Sequence, residues 1–270
     1  MFLENQNTND MKTRHLFLIL VTLLSISILA FNDPEKAIKA RPAYISNLDF
    51  GLEEALLSME SARFDKRKTE IHKDLLVYNK DAKESTAENV LRAIEAFHLD
   101  ETEQMFDYSL YQILYESRGI HIENGKLLAS SANALGIGQI KSTTAFHYLK
   151  QVMSESDRLA LDSLGGNYIE FGPKDKASKI IRADSTVAWI TPTKTKNKVK
   201  KWLESEANST LLWGYIMRHN TDKYGHINAL VMYNTGKGTW NRLRKAEFDM
   251  NSHSYLRGIR KVQNVLNKKG

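Results

Sequence analysis

The chain has 270 residues, of which 42% are apolar and 26% are charged, proportions that exclude whole-chain disorder and the collagen-like, coiled-coil and multi-span membrane classes. It contains no cysteine, which excludes disulfide frameworks, thiolate metal sites and cysteine nucleophiles. Its net charge is +6, from 38 Lys and Arg against 32 Asp and Glu, and this suits an anionic partner without choosing between nucleic acid, anionic lipid and an anionic polymer.

The N-terminal residues predict export. Lys12 and Arg14 precede a mainly apolar run over residues 16–31. A basic flank before a terminal apolar run is typical of a signal peptide or membrane anchor, and a buried core helix needs no such flank. We therefore assign residues 1–31 to this segment and expect a periplasmic or extracellular protein, either released or anchored at the inner membrane. Nucleic acid is then excluded as a partner of the basic surface.

The next part of the chain predicts helices. Residues 32–84 are polar and helix-prone, and we interpret them as a helical N-terminal region of unknown role. Apolar residues recur at helical spacing from Val90 to Phe97 and predict a helix that Ser85 and Thr86 can cap. A helix over 101–117 is apolar nearly all round, so it is expected to be buried centrally.

The rest of the chain completes one mainly α domain over residues 85–270, with minor strand. Small residues and glycines around 130–139 predict turns or short strands. Residues 165–201 hold two adjacent glycines, two prolines and a lysine-rich end, and we interpret them as an inserted, irregular excursion. A helix is predicted over 143–153 with Ser142 as its cap, and a short helix that Ser154 and Asp157 open follows it. Three further helices are predicted over 209–219, 227–233 and 255–266.

Glu116 is the first candidate for chemistry. It lies near the C-terminal end of the aromatic-rich helix predicted over 101–117, where burial and the negative end of the helix dipole both disfavour the carboxylate and raise its pKa. A carboxyl group with a raised pKa can act as a general acid near neutral pH. Taken alone, a glutamate at a helix end more often simply faces water. The residues around Glu116 must therefore decide whether it is a catalytic acid.

An ordered set of motifs accompanies Glu116. The members are, in chain order, Glu116–Ser117, Ser130, Ala134–Ile140 (ALGIGQI), Thr144–Ala145 and Ala229–Gly238 (ALVMYNTGKG). Over residues 85–266 this set resembles the soluble (SLT-type) lytic transglycosylases, which are relatives of goose-type lysozyme. In that family a Glu-Ser pair ends a central helix, a glycine-containing segment with Gln follows, and a Tyr-Asn segment completes the groove.

The sequence departs from the family pattern at three positions. Asn133, Gly138 and Ser142 stand where the family usually has Gly, Met and Pro. The loops that follow Glu116 and Ala145 are also longer than is usual in the family.

The resemblance implies a lysozyme-like α-domain with minor β that cleaves peptidoglycan glycan strands. Glu116 would protonate the glycosidic oxygen between N-acetylmuramic acid and N-acetylglucosamine. It would then act as a base on the muramic C6 hydroxyl, which closes an anhydro ring. The substrate's acetamido group would assist, so the resemblance implies no second carboxylate, no cofactor and no metal.

The resemblance also implies roles for residues around the acid. Ser117 would orient Glu116 or the substrate, Gln139 would offer its amide to a sugar, and Tyr233 would hydrogen-bond Glu116 and fix its rotamer. Plainer interpretations are a helix-end serine for Ser117 and a surface amide for Gln139. The implied substrate-binding residues are Ser117, Ser130, Ile137, Gln139, Tyr233, Asn234 and Tyr255.

Two other functions stay open at this point. The same fold could act as a goose-type hydrolase of peptidoglycan, which would leave reducing ends, or the chain could be a non-catalytic cell-wall-binding scaffold. A zinc peptidase is poorly supported because the sequence has no His-Glu-x-x-His motif. Besides glycan strands, cell-envelope machinery is a candidate partner, and the sequence leaves the oligomeric state open.

Overall fold

The computed structural model describes residues 49–154, 156–157, 160–161, 164–171, 178–181, 187–190 and 195–268. The chain divides into two compact units, Met1–Ala62 and Arg63–Gly270. The described part of the first unit is helical backbone that begins at Asp49. The predicted export segment over 1–31 lies outside the described residues, and among those residues no helix is both long and apolar enough to cross a membrane.

The prediction of a mainly α protein is confirmed, since 69% of the interpretable residues are helical and the strands are short. The described helices are α1 (Asp49–Tyr78), α2 (Glu84–Ala96), α3 (Glu103–Ser117), α4 (Ser142–His147), α5 (Thr195–Leu203), α6 (Glu206–Tyr224), α7 (His226–Thr235), α8 (Lys237–Lys245) and α9 (Ser254–Leu266). A π-helical turn over Tyr148–Val152 extends α4, and a 3-10 turn over Met250–Ser252 precedes α9.

The strands form small antiparallel sheets. They are β1 (Ile122–Glu123) with β2 (Lys126–Leu127), β3 (Ala134–Leu135) with β4 (Ile140–Lys141), and a three-stranded sheet of β5 (Tyr168–Glu170), β6 (Ser178–Ile181) and β7 (Val187–Ile190). The β3–β4 hairpin falls in the region of predicted turns or short strands, so that prediction is confirmed.

Helix α6 lies in the core of the second unit. It packs against α2, α5 and α7, and its residues Leu212, Trp213 and Met217 are completely buried. Ser205 caps its first turn by accepting a hydrogen bond from the backbone N–H of Asn208. The predicted helices over 209–219 and 227–233 therefore correspond to longer helices, α6 and α7.

Helices α3 and α9 pack against each other. Helix α3 buries most of its residues between Tyr108 and Leu114, as its all-round apolar sequence predicts. It ends at Arg118 and Gly119, which both have left-handed backbone conformations. The approach of α9 is close at Gly258, where an added Cβ would lie 2.4 Å from the ring of Tyr115.

Two predicted helix caps are wrong. Helix α2 begins one residue before Ser85, with Lys83 at the cap position and no side-chain hydrogen bond there, so Ser85 and Thr86 lie inside the helix. Ser142 is the first residue of α4 rather than its cap, because the extended backbone of β4 runs directly into the helix at Lys141. The hydroxyl of Ser142 is buried without a described partner.

The excursion over 165–201 is more regular than its composition suggests. Strands β5, β6 and β7 form an antiparallel sheet within it, and the lysine-rich end is helix α5. Val199, Trp202 and Leu203 on this helix are buried, so the lysines share a helix with an apolar face. The spacing of these three residues is the signal that identifies the helix.

The second unit also takes in part of the chain before residue 85. It begins at Arg63, and Ile71 and Leu75 on α1 belong to its buried core. Arg67 on the same helix pairs with Asp100, at 2.9 Å between Nη1 and Oδ2. The helical region assigned to 32–84 therefore contributes its C-terminal part to the core of the domain.

Candidate active site

A groove of about 920 Å³ opens on the second unit. Its walls come from the end of α3, the β3–β4 hairpin, α4 with its π-helical turn, α6 and α7. This volume lies within the range of small-molecule sites. Five of the residues singled out from the sequence line it, namely Glu116, Ser130, Gln139, Tyr233 and Asn234.

Glu116 is the penultimate residue of α3 and is half-buried. Burial raises the pKa of its carboxyl group, and a hydrogen bond from Tyr255 opposes that rise. The phenol oxygen of Tyr255 lies 2.6 Å from Oε1 of Glu116. A carboxyl group of this kind, at the wall of a groove, can give a proton to a bound ligand and take one back.

A relay of three hydrogen bonds leads through the core to Glu116. Trp213 Nε1 lies 3.1 Å from Gln112 Oε1, and Gln112 Nε2 lies 3.2 Å from the phenol oxygen of Tyr255, which reaches Glu116. Trp213 and Gln112 are fully buried and Tyr255 is only 3% exposed. Because every member has a partner, the relay holds the carboxyl group in one orientation.

The relay has a fixed direction. An indole N–H can only donate, so the atom of Gln112 that faces Trp213 must be the amide oxygen. The amide nitrogen of Gln112 then faces Tyr255 and donates to its phenol oxygen. The phenol proton is directed at Oε1 of Glu116, which accepts it. The transferable proton of Glu116 therefore belongs on Oε2, which has no hydrogen bond to any described residue.

Tyr233 does not hydrogen-bond Glu116. Its hydroxyl donates to the backbone carbonyl of Gly138, at 2.5 Å, and so ties α7 to the β3–β4 hairpin. The role of holding the carboxyl group, which the resemblance gave to Tyr233, falls to Tyr255. Tyr255 in turn is buried behind the carboxyl group and does not line the groove.

Two further residues that the resemblance placed at the substrate do not line the groove. The hydroxyl of Ser117 is buried and serves the helix end: it donates to the carbonyl of Ile113 and accepts from the N–H of Gly119. Ile137 is completely buried in the core, and its N–H donates to Nδ1 of His121. Both residues shape the backbone around the groove without facing it.

The other groove residues differ in how many of their polar atoms are available to a ligand. Ser130 is exposed, and its hydroxyl accepts from the N–H of Ala134. Gln139 has a positive φ of 49° and donates from its amide to the carbonyl of Gly136 at 2.8 Å, which leaves its amide oxygen and its second N–H for a ligand. Asn234 is exposed at the groove wall.

The groove is cationic. Among the described lining residues Glu116 is the one carboxylate, whereas Lys141, Lys223 and Lys237 all line the same groove. Such a lining attracts anionic ligands. In the described part of the chain no group of three or more His, Asp or Glu side chains is placed to hold a metal ion.

Sequence analysis missed two members of the relay. Gln112 lies one helical turn before Glu116, and a glutamine in an otherwise apolar helix is the signal that could have identified it. Trp213 carries no such signal, because a tryptophan in an apolar helix is ordinary core. The comparisons with family models, with curated proteins and with solved structures gave no match to this chain.

Proposed function

We propose that the protein is an exported lytic transglycosylase that cleaves the glycan strands of peptidoglycan. The observation that carries the proposal is Glu116, a half-buried carboxyl group with a raised pKa that is oriented by Tyr255 and lies in the wall of a large groove. The lysozyme-like topology and the export signal implied by the sequence belong to the same proposal.

In the first step Glu116 acts as the general acid. Its Oε2 gives a proton to the glycosidic oxygen, and the bond between that oxygen and C1 of N-acetylmuramic acid breaks. The acetamido oxygen of the same sugar attacks C1 and forms an oxazolinium ion, so the positive charge stays on the substrate. The N-acetylglucosamine leaves with the proton as its 4-hydroxyl.

In the second step Glu116, now a carboxylate, acts as the base. It takes the proton from the C6 hydroxyl of the muramic residue, and O6 attacks C1. The oxazolinium ring opens as the new C1–O6 bond forms, which restores the acetamido group and leaves a 1,6-anhydro end. No water is consumed, and Glu116 ends the cycle protonated as it began.

The composition of the groove supports a mechanism with one carboxyl group. Two-carboxylate glycosidases need a second Asp or Glu across the scissile bond, and among the described lining residues Glu116 has no such partner. Substrate assistance replaces that partner.

Gly138, where the family pattern usually has Met, has a local reason. An added Cβ at this position would lie 2.9 Å from Cβ of Trp213, so the tryptophan occupies the space that a side chain at 138 would need.

The decisive experiment is product analysis. Purified peptidoglycan sacculi are digested with the protein, and the soluble fragments are analysed by mass spectrometry. We expect fragments that end in anhydro-muramic acid, lighter by one water than the products of a hydrolase. Reducing ends would instead assign a hydrolase of the goose-type lysozyme kind, and binding of sacculi without cleavage would assign a cell-wall scaffold.

A further inference from the structure

Part of the groove wall carries a group of nitrogen-bearing side chains that the mechanism above does not use. We call His147, Gln151, His219 and Lys223 the cationic cluster, after the charge of Lys223; all four line the same groove as Glu116. His147 and Gln151 come from α4 and its π-helical turn, and His219 and Lys223 come from α6. Turns of π-helix occur frequently at functional sites.

Aromatic packing fixes the histidines of the cluster. The ring of Tyr148 lies between them, with its centroid 5.5 Å from that of His147 and 5.5 Å from that of His219, edge-on to both. Tyr215 stacks on His219 at 6.2 Å and also contacts Tyr148, at 6.3 Å between ring centroids. The hydroxyl of Tyr148 donates to Asn220 at 3.1 Å, so the ring between the two histidines is held in place.

The hydrogen bonds leave a full positive charge on Lys223. Its Nζ lies 2.9 Å from Nε2 of His219. An ammonium group only donates, so Nε2 accepts and the imidazole is neutral. Burial and the charge of Lys223 both lower the pKa of His219, which agrees with a neutral ring. The bond uses one of the three N–H groups of Lys223 and cancels none of its charge.

The neighbouring carboxylates are occupied elsewhere. Asp222 pairs with Arg218, at 2.9 Å between Oδ1 and Nε, and Asp157 accepts from the hydroxyl of Tyr215 and from the backbone N–H of Ser154. Among the described residues none forms an ion pair with Lys223. An ammonium group in a groove, with one hydrogen bond, spare N–H donors and no counter-ion among the described residues, can bind an anion.

We propose that the cationic cluster binds a carboxylate of the substrate, with Lys223 as the main contact. The proposal rests on the proposed function, because the peptide substituents of glycan strands supply carboxylates close to the sugars. One continuous groove contains both Glu116 and the cluster, so a strand bound for cleavage can place a substituent on the cluster. The protein then prefers peptide-bearing strands with free carboxylates over bare or amidated strands.

The test measures binding separately from cleavage. The full chain carrying Glu116→Gln is titrated with fluorescent glycan fragments whose peptide carboxylates are free, or with the same fragments converted to methylamides. We expect amidation to raise Kd about threefold to tenfold, the worth of one partly exposed charge-assisted hydrogen bond. Lys223→Met should raise Kd by the same factor for the free acids and leave the amidated fragments unchanged, and Lys223→Arg should retain most of the preference.

A matched control separates this site from general attraction to a basic protein. Lys261 is exposed on α9 and does not line the groove, so Lys261→Met should leave both values of Kd unchanged. The proposal is overturned if amidation has no effect, if Lys223→Met weakens both kinds of fragment equally, or if Lys261→Met has the same effect as Lys223→Met.

The same variants distinguish this proposal from the proposed function. In a chain that retains Glu116, Lys223→Met should raise KM for the free acids with kcat unchanged, because the contact is equal in the ground and transition states. If the wild-type chain cleaves sacculi but binds both kinds of fragment equally, the carboxylate site is refuted and the activity stands. If it discriminates between the fragments but cleaves neither, the site stands and the activity is refuted.

Discussion

At the scale of single residues, the proposed mechanism requires Glu116 to keep its proton near neutral pH and to present it to the groove. Burial meets the first requirement by raising the pKa of the carboxyl group. The hydrogen bond from Tyr255 meets the second, because it occupies Oε1 and leaves Oε2 for the substrate. The same bond favours the carboxylate and so limits how far the pKa rises, which suits a group that must later act as a base.

Replacing Glu116 by Gln tests the acid. The amide keeps the shape and can still accept from Tyr255, but it has no transferable proton. We expect the rate of sacculus digestion to fall by a factor of about 10² to 10⁴, with Tm unchanged or slightly higher, because a neutral group replaces a half-buried carboxyl. Glu123→Gln, on the exposed strand β1, is the control. Wild-type digestion by the Glu116 variant would show that the acid lies elsewhere.

Tyr255→Phe tests the hydrogen bond at Oε1. The bond favours the charged carboxylate, so its loss should raise the pKa of Glu116 and move the basic limb of the pH–rate profile to higher pH. The rate should fall by about one to two powers of ten, since a hydrogen bond to a charged group contributes about 1.5–3 kcal/mol. The pH–rate profile and the infrared carboxyl band of Glu116 measure both effects.

Tyr233→Phe is the matched control for that experiment. It removes a hydroxyl that donates to the carbonyl of Gly138 rather than to Glu116. The basic limb should therefore stay in place, whatever happens to the rate. Equal movement of the limb in both variants would mean that Tyr255 has no special role at the carboxyl group.

At the scale of elements, three helices meet behind the acid. Helix α3 supplies Gln112 and Glu116, α9 supplies Tyr255, and α6 supplies Trp213. Gly258 allows α9 to come close to α3 beside Tyr255, and the hydroxyl of Tyr233 fixes the β3–β4 hairpin to α7. The groove is therefore built on packed helices, which hold catalytic groups more accurately than loops do.

Trp213→Phe tests the start of the relay. It leaves the amide oxygen of Gln112 buried without a partner, which costs about 1–3 kcal/mol, and it allows the amide to turn over and lose its direction. We expect a lower midpoint in urea and a movement of the pH–rate limb. Adding Gln112→Met removes the orphaned oxygen, so the double variant should regain part of the lost stability. A double variant no more stable than the single one would contradict the directional relay.

The contact between α1 and α3 should make stability depend on pH. Burial, Asp107 and Glu70 raise the pKa of Asp74 to about 6, whereas an aspartate in the unfolded chain titrates near about 4. The folded state thus holds this proton more tightly, so stability falls as pH rises from about 4 through about 6. Asp74→Asn should raise Tm by a few degrees at about pH 7.5. Removing the half-buried negative charge should increase the free energy of unfolding by about 1 kcal/mol.

The control for the Asp74→Asn prediction is to measure the same variant at acidic pH. At about pH 4 Asp74 is already neutral in the folded state, so Asn should give little or no gain. Thermal unfolding followed by circular dichroism at both pH values measures the difference. A gain of equal size at both pH values would assign the effect to packing rather than to charge.

At the scale of the whole molecule, export is a prediction from the apolar N-terminal segment, and the net charge of +6 is compatible with the anionic polymer that we propose as the substrate. A fusion of the full chain to a topology reporter, with fractionation of the cells, should place the domain beyond the cytoplasmic membrane. Removing residues 1–31 should retain it in the cytoplasm. Full-length protein found soluble in the cytoplasm would contradict export and, with it, peptidoglycan as the substrate.

The amino-acid sequence by itself determined the helical character of the protein and the position of its principal candidate. The all-round apolar pattern of α3 requires burial, and Gly119 after Ser117 requires an end, so Glu116 is placed at the end of a buried helix by local rules alone. The helices α6, α7 and α9 follow from their periodicity for the same reason. Helix α5 is different, because its lysines dominate the local composition and only the spacing of Val199, Trp202 and Leu203 indicates its apolar face.

Only the tertiary structure decided which side chains touch the acid. Tyr233 and Tyr255 are both tyrosines on helices near the groove, and nothing in their local sequence distinguishes which one reaches Glu116. The choice depends on how closely α9 approaches α3 at Gly258 and on where the β3–β4 hairpin presents the carbonyl of Gly138. Hydrogen bonds between residues more than a hundred positions apart are set by helix packing, and helix packing is a property of the whole core.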